Sequence, residues 1–282
     1  MLVCPRSDGP VIAPTGEGFP IALGAGWAPC GTSAAVFHGD WLDAVRSLEP
    51  GTIDLVYVDP PFNTGATKAS HAGEFADGWA TMDEYLAWMR ARISATVPAV
   101  RETGSVLVHV DWRSSHRVRV MLDEVLGADR FVNHLVWSYG LGGSSPRRFA
   151  RKHDDILFYC IDPERYWFEA PQVPATSRRM AGQMKKATDV IDIPSINNMA
   201  AERVGWPTQK PLALLELLIG ACCPPGGVVL DPCCGSGTAV VGAVRTGRRG
   251  LGADIDARAI ELTRGRVAGE GAPGAKMRTP HP

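Results

Sequence analysis

Seven short apolar runs, at residues 34–38, 53–58, 105–110, 134–139, 156–161, 228–230 and 250–253, constrain this chain more than any other feature. Several are continuous rather than alternating, as expected for strands covered on both faces. Helical signals stand between them. Thr81 with Glu84 forms a capping box, after which Leu86, Met89, Ile93 and Val97 share one helical face. Ser114 or Ser115 opens a second helix that Gly127 ends. Pro211 is the expected first residue of a third, with Leu212, Leu215, Leu218 and Ile219 as its apolar stripe before Pro224 and Pro225 stop it. Strand and helix alternate, so the chain reads as α/β with a largely parallel sheet. At 282 residues, 45% of them hydrophobic, it can bury the core of one large domain or of one domain with a small insertion.

The flanks read differently. Residues 1–33 hold six Gly and five Pro without a period and are expected to form an irregular N-terminal arm, and 268–282 a flexible tail. The main domain is then 34–161 with 205–267. Between them, 162–204 breaks the alternation with Pro163, Pro171, Pro174 and Pro194, and is a candidate recognition insertion. The net charge of −1 carries no whole-chain sign of nucleic-acid binding, but residues 147–186 hold nine Lys or Arg against five Asp or Glu. Such a stretch is either a solvated surface loop or a phosphate contact.

Seven cysteines, at 4, 30, 160, 222, 223, 233 and 234, form an odd set without small-scaffold spacing, which fits reduced thiols in a cytoplasmic protein. Neither adjacent pair has the C-x-x-C spacing of zinc sites, so no metal is expected. No apolar run reaches transmembrane length, and the start lacks a basic region followed by an apolar core, so no membrane partner is expected.

Two motifs carry chemistry. Asp59-Pro60-Pro61-Phe62 follows the run 53–58 directly, and in an open α/β sheet ligands bind beyond the carboxyl ends of strands. The paired prolines remove two N–H donors and fix φ, leaving nearby carbonyls as outward acceptors. A rigid carboxylate, a free carbonyl and an aromatic face together suit an exocyclic amine on a flat base. The plain alternative is a turn that merely ends a strand. The second motif runs from Val229 through Asp231, Cys233, Cys234, Gly235, Ser236 and Gly237 to Thr238, a strand turning through glycines into a helix. Glycines allow close approach of the backbone, and the helix N-terminus favours a carboxylate or phosphate. Asp254, at the end of the next strand, is placed to bond a ribose, a contact common to dinucleotides and S-adenosylmethionine. A nicotinamide-dependent oxidoreductase would use Gly235, Gly237 and Asp254 in this way, but leaves the Asp59 motif and residues 207–211 without a role.

In order along the chain stand Gly39-Asp40-Trp41-Leu42, Asp59 to Asn63, Trp137-Ser138-Tyr139 leading to His153 through Tyr159, residues 207–211, the 231–238 turn and Gly252-Ala253-Asp254. This series, over 36–267, resembles the permuted, β-class DNA amino-methyltransferases of the N6-adenine and N4-cytosine family, in which the catalytic half precedes the cofactor half. The resemblance implies a Rossmann-like S-adenosylmethionine-dependent methyltransferase fold with one antiparallel strand near an edge, here 156–161. It implies catalytic Asp59, Pro60, Pro61 and Phe62, with Asp59 and the Pro60 carbonyl accepting the amine hydrogens and Phe62 stacking on the base, for direct displacement of the methyl group.

Residue by residue, it implies Asp40 near the cofactor adenine, Asp254 on its ribose, and Asp231, Gly235, Ser236 and Gly237 about its methionine part, with Cys233 and Thr238 also among the cofactor-binding residues. Thr208, Gln209 and Lys210 would close over the amino-acid end. Family members flip the target base out of the duplex. The loop 63–80, with Lys68 and His71, is then a candidate to close over it. Arg147, Arg148, Arg151, Arg178, Arg179, Lys185 and Lys186 are candidates for DNA contact. His153 and Tyr159 read as sheet supports.

Two positions depart from the family pattern: Phe62 stands where Tyr is commoner, and Cys233 where Phe is usual. Asp at the first motif position leans toward adenine N6, Ser toward cytosine N4, so adenine is the expected target, with cytosine as the alternative. A nucleic-acid-binding protein that has lost activity is a further alternative, against which Asp59 and the glycine turn are both intact. The implied partners are double-stranded DNA and, in a restriction-modification setting, a cognate endonuclease, with a homodimer compatible with the chain.

Overall fold

The computed structural model describes residues 21, 23–63, 66–70, 73–140, 144–175, 179, 181–197 and 199–270, with 66–70 and 73–77 described in their backbone. In chain order the elements are β1 (Trp27–Pro29), β2 (Ala34–His38), α1 (Trp41–Arg46), β3 (Ile53–Val58), β4 (Ala66–Ser70), β5 (Gly73–Asp77) and α2 (Met82–Thr96). Then come β6 (Val100–Val110), α3 (Ser115–Leu126), β7 (Phe131–Ser138), β8 (His153–Cys160), β9 (Gln172–Pro174), β10 (Met184–Lys186) and β11 (Val190–Asp192). Residues 212–270 supply α4 (Leu212–Cys222), β12 (Val228–Asp231), α5 (Thr238–Arg245), β13 (Arg249–Asp254) and α6 (Ala257–Glu270).

Nine strands form one sheet in the order β1-β2-β13-β12-β3-β6-β8-β7-β11. From β2 to β6 neighbouring strands are parallel, whereas β8 runs antiparallel to both β6 and β7. The continuous apolar runs are explained by burial on both faces. In β3, Ile53, Val56 and Val58 pack with α1, α2 and α3, while Leu55 and Tyr57 pack with α4 and α5 on the other side. Asp54 is the exception within this strand. Its buried carboxylate accepts from the backbone N–H of Val228 at 2.8 Å, stitching β3 to the start of β12, and burial pushes its pKa up.

The pairing of β12 with β3 joins strands from opposite ends of the sequence and sets the site. From β12 the chain winds outward to β13, and from β3 it winds the other way to β6. The boundary is a topological switch point, where a crevice opens beyond the carboxyl ends of the strands.

The structure departs from the sequence expectations in a few places. The arm 1–33 is not wholly irregular: β1 pairs antiparallel with β2, and Trp27 packs on Phe37 and donates to Ser47 Oγ at 2.9 Å. A three-residue edge strand is too short to show a period, and Pro29 is tolerated at an edge. The segment 162–204 is not detached from the sheet either, because β11 adds to it in parallel with β7 and buries Ile191, while β9 and β10 pair as a small ribbon. The antiparallel strand expected over 156–161 is β8, and β7 and β11 lie outside it. Pro211 caps α4 from outside the helix rather than opening it, and Tyr85 rather than Leu86 is the fully buried first member of the α2 stripe.

Candidate active site at the switch point

Four parallel strands deliver their carboxyl ends to one cavity of about 350 Å³: β2 leads to Asp40, β13 ends in Asp254, β12 ends in Asp231, and β3 leads to Asp59. Each carboxylate is held differently. Asp40 caps α1, with Oδ1 accepting from Leu42 N at 2.8 Å and Oδ2 from Arg92 Nη2 at 2.5 Å. Arg92 in turn lies 4.4 Å from the centroid of Trp88. Asp231 is buried and accepts from Cys233 N at 3.1 Å. Burial pushes its pKa well up, and the nearby carboxylates of Asp59 and Asp254 add to the rise. Asp254 accepts from Gly235 N at 2.8 Å and Asp256 N at 2.9 Å, yet burial still raises its pKa.

The glycine turn needs its glycines for specific reasons. Gly235 has φ of 49° and Gly237 of 74°, a left-handed backbone, and a Cβ on Gly237 would sit 2.4 Å from Thr263 Oγ1. Thr238 then opens α5 with its hydroxyl 3.0 Å from Ser236 Oγ.

On the β3 side, Asp59 Oδ2 accepts from Lys210 Nζ at 2.5 Å, and Lys210 lies 4.9 Å from the Phe62 ring centroid. Behind Phe62 stands His109, fully buried, with ring centroids 5.9 Å apart. Its Nδ1 is 2.8 Å from Tyr57 Oη and its Nε2 3.3 Å from Asp154 Oδ2. Burial raises the Asp154 pKa, but the hydrogen bond and charge of His109, with the charge of Lys210 and the hydrogen bond from Tyr139, outweigh it and the net direction is down. Asn63 adopts a left-handed backbone, φ 54°, and its Oδ1 accepts from Trp79 N at 2.9 Å across the base of the β4–β5 hairpin.

The cavity gathers Asp40, Asp59, Pro60, Pro61, Phe62, Thr208, Lys210, Asp231, Cys233, Gly235, Ser236, Thr238 and Asp254. Two expected members do not line it. Gln209 turns away, its amide donating to Glu202 O and accepting from Val204 N, so it braces its own loop. Gly237 shapes the turn from behind. Lys210 lines the cavity, and its Nζ donates to Asp59. Cys233 and Cys234 are free thiols in the wall, and burial raises both pKa values.

Of the basic candidates, Arg148 and Arg151 line a second cavity, of about 310 Å³, with Trp112, Arg113, Tyr139 and Asp154. Arg147, Arg179, Lys185 and Lys186 line neither cavity. Lys68 lies on β4, while His71 and Arg178 fall outside the described residues. His153 begins β8 and Tyr159 is buried in it, bonding Asp123 Oδ1 at 2.6 Å.

Sequence reading missed Trp41, Tyr57, Trp79, Trp88, Arg92 and Trp206 in the main cavity. Trp88 and Arg92 are four apart on α2, a spacing that places them on one face, and Trp206 directly precedes the 207–211 segment.

The family model for DNA methylases of the N6/N4 type matches residues 53–264. A type II methyltransferase of Streptomyces caespitosus, M.ScaI, is 28% identical, with 83% of this chain and 81% of that protein covered. A DNA adenine methyltransferase of Escherichia coli (strain K12) is 24% identical, with 80% of each covered. Among solved structures, the PvuII cytosine-N4-specific DNA methyltransferase superposes with a TM-score of 0.65 at 16% identity, over 83% of this chain and 86% of that one. A complex of M1.HpyAVI with S-adenosylmethionine superposes at 0.60 and 20% identity, over 83% and 98%.

Proposed function

The chain belongs to the N6/N4 DNA methylase family, and from that premise we propose that it methylates the N6 amine of an adenine flipped out of double-stranded DNA. The observation that carries this reading is the meeting of Asp59 and Phe62 with Asp231, Gly235 and Asp254 around one cavity, an acceptor motif facing a donor site.

The residues fit S-adenosylmethionine. The cavity volume lies in the range of small-molecule sites. Arg92 Nε is buried without a hydrogen-bond partner among the described residues, a donor that a purine ring nitrogen would satisfy. Gly235 leaves the backbone open to a ligand, and the carboxylates of Asp231 and Asp254 suit a cation and ribose hydroxyls. When bound, S-adenosylmethionine supplies an electrophilic methyl group on sulfur. Asp40, Arg92 and Trp88 would hold its purine, Asp254 the ribose, and Asp231 with the 235–238 turn the methionine part.

The acceptor side then follows from Asp59. With Oδ2 engaged by Lys210, Oδ1 is left to accept one amine hydrogen, and the Pro60 carbonyl takes the other. Drawing both hydrogens aside turns the nitrogen lone pair out of conjugation and leaves it free to take up a methyl group. Lys210 holds Asp59 in place through their hydrogen bond. Phe62 stacks on the base, backed by His109.

Asp59 favours adenine over cytosine through the family tendency at this position. The type II relatives support a restriction-modification setting with a cognate endonuclease, in the cytoplasm, and the chain is compatible with a homodimer. Modified-base sequencing of DNA from a host expressing the chain tests the proposal. Methylated adenine in a short recurring sequence is expected. Methylation confined to cytosine would replace the adenine assignment, and unmodified DNA would overturn the function.

A further inference from the structure

We propose that Phe149 is the wedge that enters the base stack as the target nucleotide leaves it, with Arg148 and Arg151 holding the adjacent phosphodiester. This inference rests on the DNA-methylating function proposed above.

Position comes from strand register. The β8 start pairs with the β7 end, Ser138 opposite His153 and Trp137 opposite Asp154, and Asp155 lies opposite Val110 at the end of β6. Since β6 is parallel to β3, the β7–β8 connection emerges on the same edge of the sheet as Asp59. Strand spacing puts it on the order of 10–15 Å from the β3 end. A contact path spans that distance, from Phe62 to His109, from His109 to Asp154, and from Asp154 Oδ1 to Tyr139 Oη at 3.4 Å. Asp154 and Tyr139 line the second cavity with Arg148 and Arg151.

The chemistry of the connection is unusual for a solvated turn. Phe149 is 97% exposed, more than any other large hydrophobic side chain among the described residues. Its neighbours supply a cationic excess: Arg113, Arg148 and Arg151 share the second cavity with Asp111 and Asp154, Arg113 is paired with Asp111, and no carboxylate forms an ion pair with Arg148 or Arg151 among the described residues. The Arg151 guanidinium lies 3.4 Å from the centroid of Trp112, which fixes its direction. An exposed aromatic ring flanked in sequence by two arginines, the second braced on Trp112, matches the demands of a kinked or emptied base step beside a phosphate. A loop selected only for solubility would not keep that ring in water.

Single-turnover methyl transfer by the full chain at saturating S-adenosylmethionine tests this, on a paired duplex carrying the target site and on the same duplex with the target base mispaired. Phe149→Ala should slow transfer on the paired duplex roughly tenfold to hundredfold, the scale of one lost base–aromatic stack. On the mispaired duplex, where unstacking is already done, it should stay near the wild-type rate. Phe149→Trp should keep the wild-type rate on both. Equal slowing on the two duplexes, no slowing on the paired one, or a change in sedimentation showing that Phe149 joins two copies would overturn the wedge while leaving the proposed function standing. Failure of the wild-type chain on both duplexes would overturn the function and the wedge together.

Discussion

The carboxyl edge of the sheet has two halves of opposite charge. On the β2–β13–β12 side the cavity is lined by Asp40, Asp231, Asp254 and Asp256 with Arg92 and Arg258, whereas on the β6–β8–β7 side the second cavity is lined by Arg113, Arg148 and Arg151 with Asp111 and Asp154, so carboxylates are in excess in the first and cations in the second. The difference matches two ligands of opposite sign, a sulfonium donor on one side and a polyanionic acceptor on the other. Asp59 and Lys210 stand at the junction, bonded to each other across 151 positions of sequence. In the proposed function β3 therefore leads to the group on which both ligands would converge.

Breaking the junction should have the largest effect. Asp59→Ala is expected to lower methyl transfer by on the order of 10³-fold, as for loss of a group that acts on developing charge. Calorimetry should find the affinity for S-adenosylmethionine within about twofold of wild type if the acceptor half is separate. Loss of cofactor binding in this variant would merge the halves. Asp254→Asn should do the reverse, weakening the cofactor roughly tenfold through a lost charge-assisted hydrogen bond while leaving DNA affinity unchanged in a filter-binding titration. On the cationic side, Arg148→Ala and Arg151→Ala should each reduce the slope of log affinity against log salt by about one, with little change in cofactor binding.

Acidity sharpens the contrast further. Asp231 and Asp254 have pKa values raised by burial, so the folded chain retains protons above the ordinary value of 3.8. Their protonated forms contribute stability that is complete below 3.8 and is lost as pH rises through the raised values. A cationic ligand reverses this by favouring the carboxylates. Thermal stabilisation by S-adenosylmethionine should therefore grow with pH above 3.8, and a pH-independent shift in Tm would show that these carboxylates do not face the cation. The smallest effect is expected outside both halves, where Thr81→Ala removes the α2 cap and should cost about 1 kcal/mol in denaturant unfolding without altering either ligand.

How legible all this was depended on the range of the interactions. The β3 run 53–58 matches the observed strand at both ends, because burial on both faces leaves a continuous apolar signature. Thr81 and Gly127 mark helix ends locally, Thr81 by accepting from Glu84 N and Gly127 through its positive φ, and Ser114 precedes α3 without a side-chain cap. The Arg92 to Asp40 pair, by contrast, joins positions 52 apart and leaves no periodic trace. Gln209 and Lys210 are adjacent in sequence, but one folds back on its own loop and the other reaches across to Asp59, a difference of side-chain direction. The edge strands β1 and β11 were missed because three residues cannot display a period, so their pairing is set by the strand they join.

Identification of the methylated nucleoside tests the whole arrangement most directly. DNA incubated with the chain and S-adenosylmethionine labelled in its methyl group would be digested to nucleosides and separated. Label in N6-methyldeoxyadenosine, absent with Asp59→Ala, is the predicted result. Label in N4-methyldeoxycytidine, or label that persists in the Asp59→Ala reaction, would contradict the assignment of Asp59 as the group that receives the adenine amine.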